Sequence, residues 1–220
     1  VAQRDHILTR PFIRAWRRLD LDRFARNTRG AAALEFAMIA LPLFTMIFAV
    51  MELALVFLIS ISLEDAASTM ARQIRVGTIT PPGVAATTST AAAPDLTTFK
   101  QDLCQYILLV PSATCQKQIQ VDVQPFSNFT NTTLPSPISG QTFSSSGLCY
   151  GSGTPGQVVL MRVYYLWPLL TPFLLNGLEN VTTYTNTSGA PGTGRWAAVS
   201  ATEVFVNEPN ASFTGSGVSC

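Results

Sequence analysis

The sequence predicts an α+β chain: a long N-terminal transmembrane helix, then a small antiparallel sheet domain with one or two helices, stapled by disulfides. Three observations carry this expectation. Residues Phe36 to Ile59 form one apolar run, interrupted only by Glu52. Beyond residue 117, alternating or apolar segments recur between stretches rich in Ser, Thr, Gly, Asn and Pro. All four cysteines, at 104, 115, 149 and 220, follow the apolar run. A chain of 220 residues has room for one membrane segment and one modest domain.

Residues 1–30 read as a basic leader. Eight arginines against three aspartates give this stretch a formal charge of +5, whereas the remainder carries six Lys/Arg and ten Asp/Glu. Such a head beside an apolar segment stays in the cytoplasm by the positive-inside rule. Aromatic interleaving or a groove-reading element does not accompany the arginines, so nucleic acid is not an expected partner.

The run FAMIALPLFTMIFAVMELALVFLI amounts to about 36 Å of helix, enough to cross a hydrocarbon core of about 30 Å. It is too long for the apolar part of a cleaved secretory signal, and no second run of this length follows. One crossing of the lipid bilayer is the expected topology, with Pro42 removing one intrahelical hydrogen bond. Beyond it, Leu63, Ala66, Ala67, Met70 and Ile74 recur at helical spacing, with Glu64, Asp65, Arg72 and Arg75 on other faces. The helix and its amphipathic extension therefore occupy 31–76. Gly77 stops the helix and opens a linker, 77–94, rich in Thr, Ala and Pro.

Residues 95–220 form the outer domain. Asp95 is placed to cap a helix with the stripe Leu96, Phe99, Leu103, Tyr106, Ile107 and Val110, ended by Pro111. Lys117–Gln124 alternates as a half-buried strand, Gln157–Leu166 is continuous enough for a central strand, and Trp196–Val206 supplies a third. These strands and the helix would make a thin sheet packed on one face. The segment LLTPFLLNGL, 169–178, is too short to span a membrane; it reads as a core helix or plug, or as a patch for a partner or the outer leaflet.

An even number of cysteines outside the cytoplasm favours two disulfides. Of three possible pairings we expect Cys104–Cys115, closing a local turn, and Cys149–Cys220, pinning the polar tail. A metal site is not expected, since there is no C-x-x-C pair and the single histidine, His6, lies in the leader. The same histidine count removes Ser-His-Asp and Cys-His chemistry from the outer domain. Lys100 and Lys117 are the only lysines, and nothing recommends either for a Ser-Lys mechanism. GSGTPG (151–156) and GAPGTGR (189–195) lack the Gly-Lys-Ser/Thr ending of a phosphate loop and read as turns. No spacing singles out Asp122, Glu179, Glu203 or Glu208 as paired carboxylates. The five N-x-Ser/Thr sequons read as chance matches in a Ser/Thr-rich tail. No enzyme and no cofactor is expected.

The informative chemistry sits at the mouth of the apolar run, in Arg29-Gly30-Ala31-Ala32-Ala33-Leu34-Glu35-Phe36. A carboxylate at the lip of a membrane-length helix is costly, which marks it as functional. A glycine just before the helix offers a peptidase accessible backbone. Gly30 and Ala31 thus read as a processing site, and Glu35 as an assembly acid of a pilin-like subunit. Glu52 lies deeper, where a carboxylate costs about 2.5–3.5 kcal/mol and calls for a hydrogen-bond partner on another helix. Seventeen residues separate the two acids, placing them roughly 100° apart around a helix.

The segment NTRGAAALEFAMIALPLFTMIFAVMELALVFL (27–58) resembles the TadE-like proteins of bacterial tight-adherence (Tad) pilus systems. Their pattern is a basic leader, Gly, small residues, then Glu-Phe opening the membrane helix, with a further Glu later. SATEVFVNEP (200–209) also resembles the family's closing strand and Asn-Glu-Pro turn. TadF and TadG share the N-terminal pattern, but the chain has no Asp-x-Ser-x-Ser signature and is short for a TadG-like relative. The resemblance implies a minor pseudopilin, a single-pass protein of the inner membrane with a periplasmic C-terminal domain. A prepilin peptidase would cut between Gly30 and Ala31, and the new Ala31 amine would neutralise Glu35 of a neighbouring subunit, beside Phe36. Glu52 belongs to the same assembly set. Implied partners are the peptidase, other pilins and pseudopilins, and inner-membrane pilus assembly proteins, with a role in cell adhesion. The rival reading is an uncleaved signal-anchored envelope protein whose outer domain binds a partner or ligand.

Overall fold

The computed structural model describes residues 31–77, 96–131, 134–151, 153–170, 175–185 and 191–209. The whole leader, the linker beyond Gly77, the cap Asp95 and Cys220 lie outside the described residues. The chain divides into two units, Val1–Ile47 and Phe48–Cys220. Helix α1 runs from Ala31 to Arg75. Its described part in the first unit is helix throughout, with Thr45 Oγ1 donating to the carbonyls of Leu41 and Pro42 at 2.8 and 2.9 Å. The carbonyl that loses its helical donor to Pro42 is that of Met38, one turn earlier.

In the second unit, α1 changes from a fully apolar rod to an amphipathic core helix. Ile59, Leu63, Ala66, Ala67, Met70 and Ile74 are completely buried along one stripe, as their spacing predicts. Each large one contributes about 1.5–3 kcal/mol relative to exposure. Gly77, at φ +74°, ends the helix by donating to the Ile74 carbonyl at 2.9 Å.

Helix α2 (Leu96–Tyr106) and α3 (Ser112–Gln118) pack beside it. The expected stripe packs into the core at Leu96, Phe99, Leu103, Ile107 and Val110 and departs from it at Tyr106. Tyr106 is exposed, and the helix stops there rather than at Pro111. The chain leaves the helix through Leu109, at φ +70°, and this early exit lets α3 return Cys115 to Cys104. Lys117 and Gln118 consequently end α3 instead of opening a strand.

Among the described residues the sheet has six strands, in the order β1-β4-β6-β5-β3-β2. They are β1 (Ile119–Phe126), β2 (Ile138–Ser139), β3 (Thr142–Ser144), β4 (Val158–Pro168), β5 (Val181–Thr185) and β6 (Pro191–Val206). A short helix, α4 (Leu175–Leu178), precedes β5. All neighbouring pairs are antiparallel except β3 and β5. The three expected strands are β1, β4 and β6, the core of the sheet; the other three add an unforeseen half. Nor is the sheet packed on one face only. Val159, Met161, Val163 and Tyr165 of β4 face α1, whereas Tyr164 and Leu166 point into a second apolar cluster with Phe143 and Val181. Burial on both faces explains why β4 reads as a continuous apolar run.

Candidate functional site

The candidate site is the helix α1 with the acids it carries. From Leu34 to Met51 its large apolar residues are exposed, including Leu34, Phe36, Met38, Leu41, Phe44, Phe48 and Met51. Among the described residues this is the one helix long and apolar enough to cross a membrane. Ala31 is the first described residue of the helix, Gly30 lies just outside the described residues, and Glu35 and Phe36 are both exposed. An exposed acid and phenylalanine on an apolar rod leave that surface available to a neighbour or to lipid.

Glu52 departs from the exposure around it. It is only 4 % exposed, and its Oε1 accepts the backbone N–H of Leu170 at 2.6 Å. A donor comes from this chain's own backbone just after β4, 118 residues away in sequence. The buried stripe of α1 begins at Glu52 and continues through Ile59 and Leu63 to Ile74, so this acid marks where the helix enters the domain's packing.

At the far end of the stripe, the Asn-Glu-Pro segment closes on the helix terminus. Glu208 donates its N–H to the Arg75 carbonyl at 3.3 Å, and its carboxylate lies 3.8 Å from the Arg75 guanidinium. Asn207 is fully buried, donating its N–H to Gln157 and accepting from Gly156 through its carbonyl. The 200–209 segment is thereby a clasp between β6 and the end of α1.

Cys104 and Cys115 form the expected disulfide, with Cα atoms 5.9 Å apart. Cys149 is half-buried and unbridged among the described residues; its expected partner Cys220 is not one of them. The backbone N–H of Cys149 donates to Asp122 Oδ1 at 2.9 Å.

Asp122, which the alternation places on a polar face, is completely buried. It faces Arg162 directly across the β1–β4 ladder and accepts from Arg162 Nε at 2.9 Å. Gln124 Nε2 also donates to it, at 2.9 Å, and Arg162 reaches the Pro135 carbonyl at 3.1 Å. These bonds occupy the carboxylate structurally. Arg162 escaped the sequence reading, although a lone arginine inside VVLMRVYYL is itself a signal for a buried acid. Burial pulls the Lys100 ammonium below its ordinary value in an open groove beside Ser112, whose hydroxyl accepts from Gln116 at 3.0 Å. No group of three His, Cys, Asp or Glu residues suited to a metal occurs among the described residues.

No curated protein and no solved structure matches the chain. The family model of the TadE-like protein matches residues 30–72, spanning the glycine, both acids and most of α1. The segment that holds the candidate site is thus similar to that of TadE-like proteins.

Proposed function

We propose that this protein is a minor pseudopilin of a bacterial Tad pilus, held by a single membrane crossing and cut by a prepilin peptidase between Gly30 and Ala31. The observation that carries this reading is the coincidence of the TadE-like match with an exposed apolar helix that carries Glu35, Phe36 and Glu52. The basic leader stays on the cytoplasmic face of the inner membrane, and the sheet domain lies in the periplasm. Removing the leader strips away charge that opposes movement of the helix through lipid. It also creates an ammonium at Ala31 that can pair with Glu35 of a neighbouring subunit, a contact favoured where water is excluded.

Phe36 and the exposed residues that follow supply the surface for packing on other pilins and pseudopilins. The sheet domain, stapled by Cys104–Cys115, acts as a non-enzymatic module at pilus initiation or at the tip. Coexpression with a prepilin peptidase tests this reading: the mature chain should begin at Ala31, and Gly30→Ala should reduce cleavage. An intact leader in the presence of active peptidase would instead favour the uncleaved signal anchor.

A further inference from the structure

Glu52 and the backbone just after β4 pose a problem that water would not. An amide at an aqueous surface finds a solvent partner, so it has no need of a buried carboxylate. In hydrocarbon, non-helical backbone is tolerated only when the protein itself satisfies its polar groups. The Leu170 N–H is satisfied in that way, by the carboxylate of Glu52 at 2.6 Å. Counting from Phe36, Glu52 lies sixteen residues along the apolar run, or about 24 Å of helical rise, short of the roughly 30 Å of a hydrocarbon core.

The surroundings are apolar at the same level. Leu170 is 80 % exposed, the most exposed large apolar side chain among the described residues. On α1, Leu53, Phe57, Leu58 and Ile61 remain exposed beyond Glu52, and the next charge on the helix is Glu64. On the strand side of Leu170, Leu169 donates its N–H to the Arg195 carbonyl at 3.0 Å, and Pro168 pairs with Trp196. An exposed Arg195 and the tryptophans at 167 and 196 are residue types that anchor at a membrane interface.

We propose that the end of β4 with Leu169 and Leu170 dips into the outer leaflet, with Leu170 against acyl chains and Glu52 as the acceptor that makes its backbone tolerable there. The sheet domain is then seated on the bilayer at two points, through α1 and through this segment. A carboxylate inside the apolar run is no longer an anomaly, because it replaces the water that the segment has lost. The inference rests on the reading of α1 as a membrane crossing.

The test uses the full chain in lipid nanodiscs, with nitroxide labels at Leu170→Cys, Met46→Cys or Ser139→Cys in a Cys149→Ser/Cys220→Ser background. Power saturation compares accessibility to oxygen, which partitions into lipid, with that to a water-soluble nickel chelate. Position 170 should resemble position 46, with an oxygen preference several-fold above that of the exposed Ser139 site. An aqueous signal at 170 with a lipid signal at 46 overturns the inference and leaves the crossing intact. An aqueous signal at 46 overturns the crossing and the inference together. Shielding of 170 from both reagents indicates a protein cover, such as a second copy, and also overturns it. Glu52→Gln keeps an acceptor and should preserve the lipid signal at 170. Glu52→Leu removes it and should raise nickel access there several-fold; an unchanged signal would overturn the role given to Glu52.

Discussion

Replacing Arg162 with Met isolates the term on which the sheet domain depends most sharply. Arg162 and Asp122 are direct partners across β1 and β4, and their side chains are 11 % and 0 % exposed. Methionine fills the space of the arginine stem but leaves Asp122 as a buried carboxylate with only the Cys149 amide and the Gln124 side chain as donors. Stranding one member of a buried pair costs about 3–5 kcal/mol. With a denaturant slope of about 2 kcal/mol per molar urea, the unfolding midpoint should fall by roughly 1.5–2.5 M. The assay is urea unfolding of the full chain in detergent, followed by near-ultraviolet dichroism of the sheet domain's aromatic residues. The double variant Asp122→Leu/Arg162→Met removes the orphaned charge and leaves mainly the Cys149 amide unsatisfied, at about 1–3 kcal/mol. It should therefore be more stable than Arg162→Met alone. A loss below about 1 kcal/mol for Arg162→Met would mean that the pair behaves like a solvent-screened surface bridge, and the reasoning would fail.

Other outcomes follow from the packing and the titrating groups. Cys104→Ser/Cys115→Ser should lower stability by about 3 kcal/mol on a chain-entropy estimate, measured by the same unfolding assay. Met70→Ala removes a fully buried side chain between α1 and the sheet and should cost about 2–5 kcal/mol. Burial pushes the Tyr165 hydroxyl up to about 12, and that hydroxyl donates to Gln118 Oε1 at 2.7 Å. Its contribution is fully present below the ordinary tyrosine value near 10 and is lost as pH rises from there through about 12. Midpoints measured across that window should fall, and Tyr165→Phe should shallow the slope.

The legible parts of this fold are those in which local pattern and tertiary burial agree. The stripe Leu63, Ala66, Ala67, Met70 and Ile74 is core because helical spacing puts those residues on one face. The central strands were legible for the same reason. Strands β2, β3 and β5 were not, because Ile138–Ser139 and Thr142–Ser144 are too short for a period to show, and Val181–Thr185 has a loop-like composition. Asp122 looked solvent-facing because alternation reports which face a residue takes, not whether a loop later covers it. The loop does so here, bringing Cys149 and Pro135 over the ion pair. At the candidate site, the residue types of Glu35 and Glu52 signalled function through their cost in an apolar run. The Leu170 amide that meets Glu52 was invisible, since a backbone donor leaves no mark in a sequence.

Assembly of this chain as a pseudopilin requires that its mature form begin at Ala31. N-terminal sequencing and intact-mass analysis of native protein, taken from the membrane and from sheared pili, should both return a first residue of Ala31. Full-length leader in both fractions would contradict the account.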